Sequence, residues 1–362
     1  MNKLVCFHLF NDFSGSPKVL RMVLGGLSEK GIAIDIVTSK SEGALSDLDG
    51  RKSIRMSRYA YCFSDNGAVT MLRYSWVQLY VFLLSFRYLL SRNTVFYINT
   101  ILPVGAALAG RLMGKRVVYH YHENASVKGA FYRMFAWCMQ KLASEIICVS
   151  SYQRSFLKRQ KGIYVVPNAV AEQFIIQLRT NPLEAFSRKR VLMLGSLKRY
   201  KGTLELIELA GRLKEYAFEL VLNETPENIA AFWKENGIRQ LANLTVYPRQ
   251  KDVVPFYNRA SVVINLTNPK LAIETFGLTA LEAMAAGLPI IVPTVGGISE
   301  LVSDGVNGYK IDVQELSKIC ECIKTILTDE QTYLRLATGA LEFSQKFNEK
   351  EMVDCIVNIL GE

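Results

Sequence analysis

Twice along the chain, short apolar runs rich in β-branched and aromatic residues alternate with longer stretches of helical period. The first series is LVCFHLF, IAIDIVTS, TVFYINT, RVVYHYH, EIICVS and IYVVP; the second is VLMLGSL, FELVLNE, LTVYP, SVVINLT and PIIVP. None alternates strictly between apolar and polar, as a strand with one wet face would. Such runs suit strands covered on both sides by crossover helices, which means a parallel α/β sheet. Helical pattern falls at 17–30, 70–91, 104–113, 129–143 and 151–160 in the first half.

Between the two series lies a polar passage containing Asn181-Pro182 and SRKR, which reads as a linker. The chain therefore reads as two doubly wound domains, 1–169 and 170–344, followed by an amphipathic helix over 345–362. With 362 residues, each half is long enough to hold its own core.

Charge separates the halves. Residues 1–169 carry 22 Lys/Arg against 9 Asp/Glu, a balance of +13, whereas 170–362 carry 21 against 24, a balance of −3. Only the first half is expected to meet something anionic. Its most apolar segment, YSWVQLYVFLLSF, has 13 residues between Arg73 and Arg87, short of the roughly 20 that a spanning helix needs. A core helix fits it, as does a helix resting at a lipid headgroup boundary. Seven scattered Cys fit a reducing compartment rather than a disulfide framework. No cleavable leader pattern follows the first apolar run.

Several chemistries find no support. No G-x-G-x-x-G follows a strand, and neither a G-x-S-x-G elbow nor a phosphate-loop G-x-x-x-x-G-K-[ST] is present. His8, His120 and His122 make a poor metal set, so no metal and no cofactor is expected. A nucleic-acid binder would explain the basic half alone.

The informative stretch is ETFGLTALEAMAAGLP, with Glu274 and Glu282 eight positions apart. Thr275 or Thr279 is suited to cap a helix that Gly287 and Pro289 end. The backbone N–H groups of Phe276, Gly277 and Leu278 then lie at a helix N-terminus, a natural anion site, and Gly277 keeps a Cβ out of the way. If every intervening residue is helical, the two carboxylates are roughly 12 Å apart. That is too far for the acid and nucleophile of a glycoside hydrolase. A second anion site follows the first strand of the second half, where Gly195-Ser196 leaves the strand and Lys201-Gly202 opens a helix among Lys198 and Arg199. The turn Ser14-Gly15-Ser16 after the first strand of the chain is weaker evidence of the same kind.

Ser196, Lys201 and the E-x7-E pair, with GLPIIVPTVGGISELVSDGVNGYKID behind them, resemble the retaining GT-B glycosyltransferases of family 4. The likeness extends more loosely through SGSPKV, HYHEN, CVSSYQ and VVPNAV. It implies two Rossmann-like domains facing across a cleft, with the last helix returned to the first domain. It further implies a nucleoside diphosphate sugar as donor, with Glu282 on the ribose hydroxyls and Glu274 on the donor sugar. Phe276, Gly277, Leu278 and Thr279 would reach the sugar and diphosphate, and Lys201 would neutralise the diphosphate. Gly15 and Ser16 would approach from the other domain, Arg249 would lie by the base, and His122 would lie near the reacting groups, with His120 as the competing candidate.

One departure is plain. The family commonly carries Arg where this chain has Ser196, and a hydroxyl supplies neither the charge nor the bidentate bonds of a guanidinium. Either Lys201 and the helix N-terminus suffice, or Lys198 or Arg199 swings in. The acceptor expected is a glycan or lipid-linked hydroxyl in bacterial polysaccharide or lipopolysaccharide synthesis. The enzyme would then be cytoplasmic and peripheral on an anionic inner membrane face. A nucleotide-sugar epimerase and a non-catalytic nucleotide-sugar binder are the alternatives.

Overall fold

The computed structural model describes residues 3–64, 66–125 and 129–361. Met1 and Asn2, in the expected first domain, and Glu362, at the end of the expected last helix, lie outside them. The chain divides into two compact units, Met1–Asn168 with Glu349–Glu362, and Ala169–Asn348.

The first unit holds strands β1 (Lys3–Phe7), β2 (Ala33–Ser39), β3 (Ile54–Tyr59), β4 (Thr94–Asn99), β5 (Arg116–Tyr121), β6 (Glu145–Cys148) and β7 (Ile163–Val165). They form one parallel sheet in the order β3-β2-β1-β4-β5-β6-β7. Central β1 is in register with both neighbours, Val5 pairing with Asp35 on β2 and Phe96 on β4. Every residue of β4 is buried, which explains its unalternating sequence.

Its helices are α1 (Gly15–Glu29), α2 (Gly67–Ser85), α3 (Val104–Leu112), α4 (Ala130–Leu142) and α5 (Ser151–Ser155). Strand order runs one way from β1 to β2 and the other way through β4, β5 and β6. Right-handed crossovers therefore place α1 on one face and α2, α3 and α4 together on the other. Val77, Val81, Ala106, Phe135 and Met139 from those three helices pack on Phe7, Phe96 and Tyr119 to make the core of that face. The α2–α3 crossing is close: a Cβ on Gly105 would stand 2.3 Å from the Gln78 carbonyl oxygen. Buried Gln78 instead accepts the Gly105 N–H at 2.9 Å.

The second unit begins with α6 (Glu172–Gln177) and α7 (Pro182–Arg188). The passage read as a linker is thus partly helical. Asn181 caps α7, accepting from the N–H groups of Leu183 and Glu184, with Pro182 at the first position. Strands β8 (Arg190–Gly195), β9 (Ala217–Leu222), β10 (Leu244–Tyr247), β11 (Val262–Ile264), β12 (Ile290–Val292) and β13 (Gly308–Lys310) follow. Their order in the parallel sheet is β10-β9-β8-β11-β12-β13. The helices are α8 (Thr203–Arg212), α9 (Pro226–Glu235), α10 (Val254–Arg259), α11 (Leu278–Ala285), α12 (Leu316–Thr328) and α13 (Glu330–Ser344).

The last helix, α14 (Glu349–Gly361), belongs to the first unit and packs on α1. Lys30 pairs with Asp354 at 2.8 Å, and Arg116 donates to the carbonyl oxygens of Ile359 and Leu360 at its C-terminal end. Among the described residues, no helix is long and apolar enough to cross a membrane. Both units are Rossmann-like α/β sheets.

Candidate functional site

In the second unit the sheet order reverses between β8 and β11, so the loops leaving their C-terminal ends part there. This is where ligands bind in open parallel sheets. After β8 the chain passes Ser196, makes a 3₁₀ turn over Arg199–Lys201 and starts α8 behind Gly202. After β11 it passes Asn265 and Thr267 on the way to Glu274. These two loops bring the Lys201 ammonium onto the Glu274 carboxylate as an ion pair. The same carboxylate oxygen accepts from the Thr267 hydroxyl at 2.9 Å.

Burial opposes charge on both partners, but their mutual attraction prevails. Lys201 is held above the ordinary lysine value, and Glu274, aided by Thr267 and Asn265, below the ordinary carboxylate value. Both side chains keep some exposure, 26% and 21%, so the pair faces solvent as well as core. Lys198 and Arg199 are exposed. The Thr203 hydroxyl donates to the Ser196 carbonyl at 3.2 Å.

The helix beginning beside Glu274 departs from expectation in one respect. Neither Thr275 nor Thr279 caps it. The N-cap is Gly277, at φ 95° and without a side-chain cap bond, and α11 starts at Leu278. Glu274 precedes the helix, so the 12 Å spacing reckoned for a wholly helical segment does not apply. The N-cap residue itself therefore supplies no side-chain oxygen to the first-turn N–H groups of α11. Glu282 lies one turn further on, 7% exposed, with its Oε2 accepting from the Tyr257 hydroxyl at 2.7 Å. Arg249 follows β10 and donates to the Asn223 side chain at 2.7 Å in the loop after β9.

Gly277 is required twice over. Its φ belongs to the left-handed region, and a Cβ would come within 2.4 Å of Ile298 Cγ1. Gly277→Ala is expected to cost about 1–3 kcal/mol of stability, read from urea unfolding. Gly15, where a Cβ meets nothing within 4 Å, is the contrast. Gly15→Ala should change stability by less than about 0.5 kcal/mol.

The first unit holds Gly15, Ser16 and His122. Gly15 is exposed and opens α1, with Asp12 accepting from the Ser14 N–H at 3.0 Å just before it. All three histidines of the chain lie near the reversal of this sheet, His8 at the C-terminal end of β1 and His120 and His122 at that of β5, with Asn99 ending β4 between them. Buried Asn99 joins two of them. Its Nδ2 lies 3.0 Å from His8 Nδ1, and its Oδ1 lies 3.1 Å from His122 Nε2. An amide nitrogen only donates and an amide oxygen only accepts. In this arrangement His8 Nδ1 is bare and His122 Nε2 carries its proton.

His120 is 1% exposed and shares a hydrogen bond of 2.7 Å with the Tyr97 hydroxyl, its ring 4.1 Å from that of His122. Burial lowers the pKa of His8 to about 4 and of His120 to about 3; burial, then the neighbouring His120 and His8, lowers that of His122 well below the ordinary value. His122 is half-buried, the more accessible of the two strand-end candidates. Asn99, Tyr257 and Thr267 are participants that reading the sequence did not single out, and His8 was weighed there only as part of a poor metal set. Of these, only Asn99 and His8 carried a signal, as polar side chains closing apolar strand runs.

Among the described residues, no three His, Cys, Asp or Glu side chains gather as metal ligands.

Comparison with known proteins places both units. Residues 177–343 match the model of the glycosyl transferases group 1, and residues 13–174 match that of glycosyltransferase family 4. A D-inositol 3-phosphate glycosyltransferase of Catenulispora acidiphila is 26% identical over 183 residues, 47% of this chain and 43% of that protein. The match thus spans less than half the length of that relative. Among solved structures, Anabaena HepE in complex with UDP and glucose superposes with a TM-score of 0.79 at 18% identity, covering 100% of both chains. WaaG, a glycosyltransferase involved in lipopolysaccharide biosynthesis, does so with a TM-score of 0.72 at 16% identity, covering 99% of each. These likenesses show the fold, and with the two matched models they lead to one conclusion: the chain has the GT-B fold and belongs to the group 1, family 4 glycosyltransferases.

Proposed function

We propose that the protein transfers a sugar from a nucleoside diphosphate sugar to a hydroxyl of a glycan or lipid-linked acceptor, with retention at the anomeric carbon. The observation that carries the reading is the Lys201–Glu274 pair beside the glycine N-cap of α11, at the point where the second sheet reverses. An ammonium and a helix N-terminus together attract a diphosphate. Carboxylates on either side of Gly277 accept hydroxyl protons from the two polyols that flank it, Glu274 from the donor sugar and Glu282 from the ribose. The HepE complex with UDP and glucose supports this choice of ligand.

In the reaction the bond from the anomeric carbon to the diphosphate oxygen breaks, and a bond to the acceptor oxygen forms. The acceptor's proton passes to the departing diphosphate oxygen. Lys201 and the N–H groups of Phe276, Gly277, Leu278 and Thr279 stabilise the charge that develops there. No step calls on a metal ion. Arg249 is assigned to the base, and Ser196 to the diphosphate. Gly15, Ser16 and His122 are further candidates for donor contact. The basic charge of residues 1–169 supports an acceptor carried on an anionic membrane face, and the WaaG likeness supports a place in lipopolysaccharide synthesis.

Thermal denaturation with UDP-, GDP- and ADP-sugars tests the donor. One of them is expected to raise the midpoint in a saturable way, and no shift with any would overturn the reading. An altered sugar released without acceptor would replace transfer by epimerisation. Glu282→Ala is expected to weaken nucleotide binding about tenfold or more, the loss of a charge-assisted hydrogen bond. Unchanged affinity by calorimetry would remove the ribose assignment.

A further inference from the structure

Helix α2 is apolar on both its sides. Tyr74, Val77, Gln78 and Val81 face the core, yet Leu72, Trp76 and Leu83 on the outward side are 71%, 69% and 61% exposed. A helix hydrophobic all round is ordinarily buried all round. The exposed character continues into the neighbouring helices of the same layer, with Leu112 at the end of α3 and Met134 and Trp137 on α4. An apolar face spread over three adjacent helices is unlike the scattered exposed side chains of ordinary surfaces.

Its charge is one-sided. Helices α2, α3 and α4 contain no Asp or Glu, while Arg73, Arg111, Arg133 and Lys141 are all exposed. A second copy of the chain is therefore a poor occupant. A two-fold interface would set these cations against one another, with no carboxylate from the same helices to pair them. A layer of anionic phosphates over hydrocarbon satisfies both features at once. Indole rings and arginines are the side chains suited to that boundary.

We propose that the outer face of the α2–α3–α4 layer is a docking surface for an anionic lipid bilayer. Trp76, Leu83, Met134 and Trp137 enter the headgroup boundary, and the arginines and lysine meet phosphate oxygens. The surface gives the proposed lipid-linked acceptor a physical place to be met, and in that respect rests on the reading above. Its evidence is separate, and so is its test.

Sedimentation with phosphatidylglycerol-containing vesicles, and with vesicles of phosphatidylcholine alone, is the measurement. The full chain is expected to bind the first at low salt and the second far less. Combining Trp76→Ser, Leu83→Ser and Trp137→Ser should lower the partition coefficient about tenfold or more. Thermal midpoint and nucleotide-induced shift should stay unchanged. In a Trp233→Phe background, Trp76 and Trp137 are the only indoles, and their emission should shift to the blue with anionic vesicles. Absence of parent binding, equal binding to phosphatidylcholine, or a triple variant that binds like the parent would overturn the proposal. So would a solution dimer that the triple substitution dissolves while vesicles remain unbound. None of these readouts uses turnover, so failure of the transferase reading leaves them interpretable.

Discussion

Lys201→Ala is expected to lower turnover about a hundred- to thousandfold, with the protein still folded. An ammonium carries three protons, and its bond to Glu274 uses one, so the pairing orients the charge without exhausting it. In the proposed transition state that charge lies against the leaving diphosphate, where stabilisation is greatest and water is fewest. The Thr267 hydroxyl keeps Glu274 placed after the lysine is gone. Loss of the pair costs some stability, reduced by the solvent that both side chains still see. Glu274→Gln separates the two roles. It leaves the ammonium in place, so nucleoside diphosphate affinity by calorimetry should hold while turnover falls. Lys201→Ala should weaken both. Near-parental turnover in folded Lys201→Ala would end the assignment of this lysine to phosphate.

The fold was legible because both sheets are parallel and covered on two sides. Their inner strands read as uninterrupted apolar runs, from LVCFHLF to PIIVP. The two strands not anticipated, β3 and β13, are both at sheet edges. Edge strand β3 carries Arg55, Ser57 and Arg58 because part of it faces water, and β13 has three residues. At β3 the apolar signature is lost for the same reason that an edge tolerates charge, whereas the edge strands β7 and β10 keep it in IYVVP and LTVYP. The helices α6 and α7 were hidden differently. Asn181-Pro182 is a turn signal in isolation, but the same pair is an N-cap followed by a first-position proline when a helix comes next.

Site residues were legible one loop at a time. Lys201 and Glu274 each stood out beside a glycine and a helix start, but nothing in their 73-residue separation announces an ion pair. That contact exists because β8 and β11 are neighbours in the sheet, a property of strand order. The capping role offered to Thr275 or Thr279 went to Gly277, because the backbone there adopts a left-handed turn against Ile298. The link from His8 through Asn99 to His122 likewise depends on β1 lying next to β4 and β4 next to β5.

That histidine group is expected to make the protein acid-labile in a defined window. In the native state burial holds His8 near a pKa of about 4 and His120 near about 3. An unfolded histidine titrates near 6.5, so between these values the unfolded chain binds protons that the native chain refuses. Their contribution to stability is complete above about pH 6.5 and is lost as pH falls toward the folded values. For His8 alone the loss by pH 4 approaches roughly 3 kcal/mol, a large share of the roughly 5–15 kcal/mol that holds a domain together. The chain has no other histidine, so the slope of the urea midpoint between pH 6.5 and 5 reports this cluster ahead of most carboxylates. A flat midpoint over that range would mean that the imidazoles are not kept neutral. His8→Phe should make the slope shallower by about one proton's worth. Asn99→Asp should flatten it too, since a carboxylate within hydrogen-bond reach of two imidazoles raises their native pKa and lets the folded chain take up protons. A slope that steepens in Asn99→Asp would show that the bridge through residue 99 does not govern the two rings.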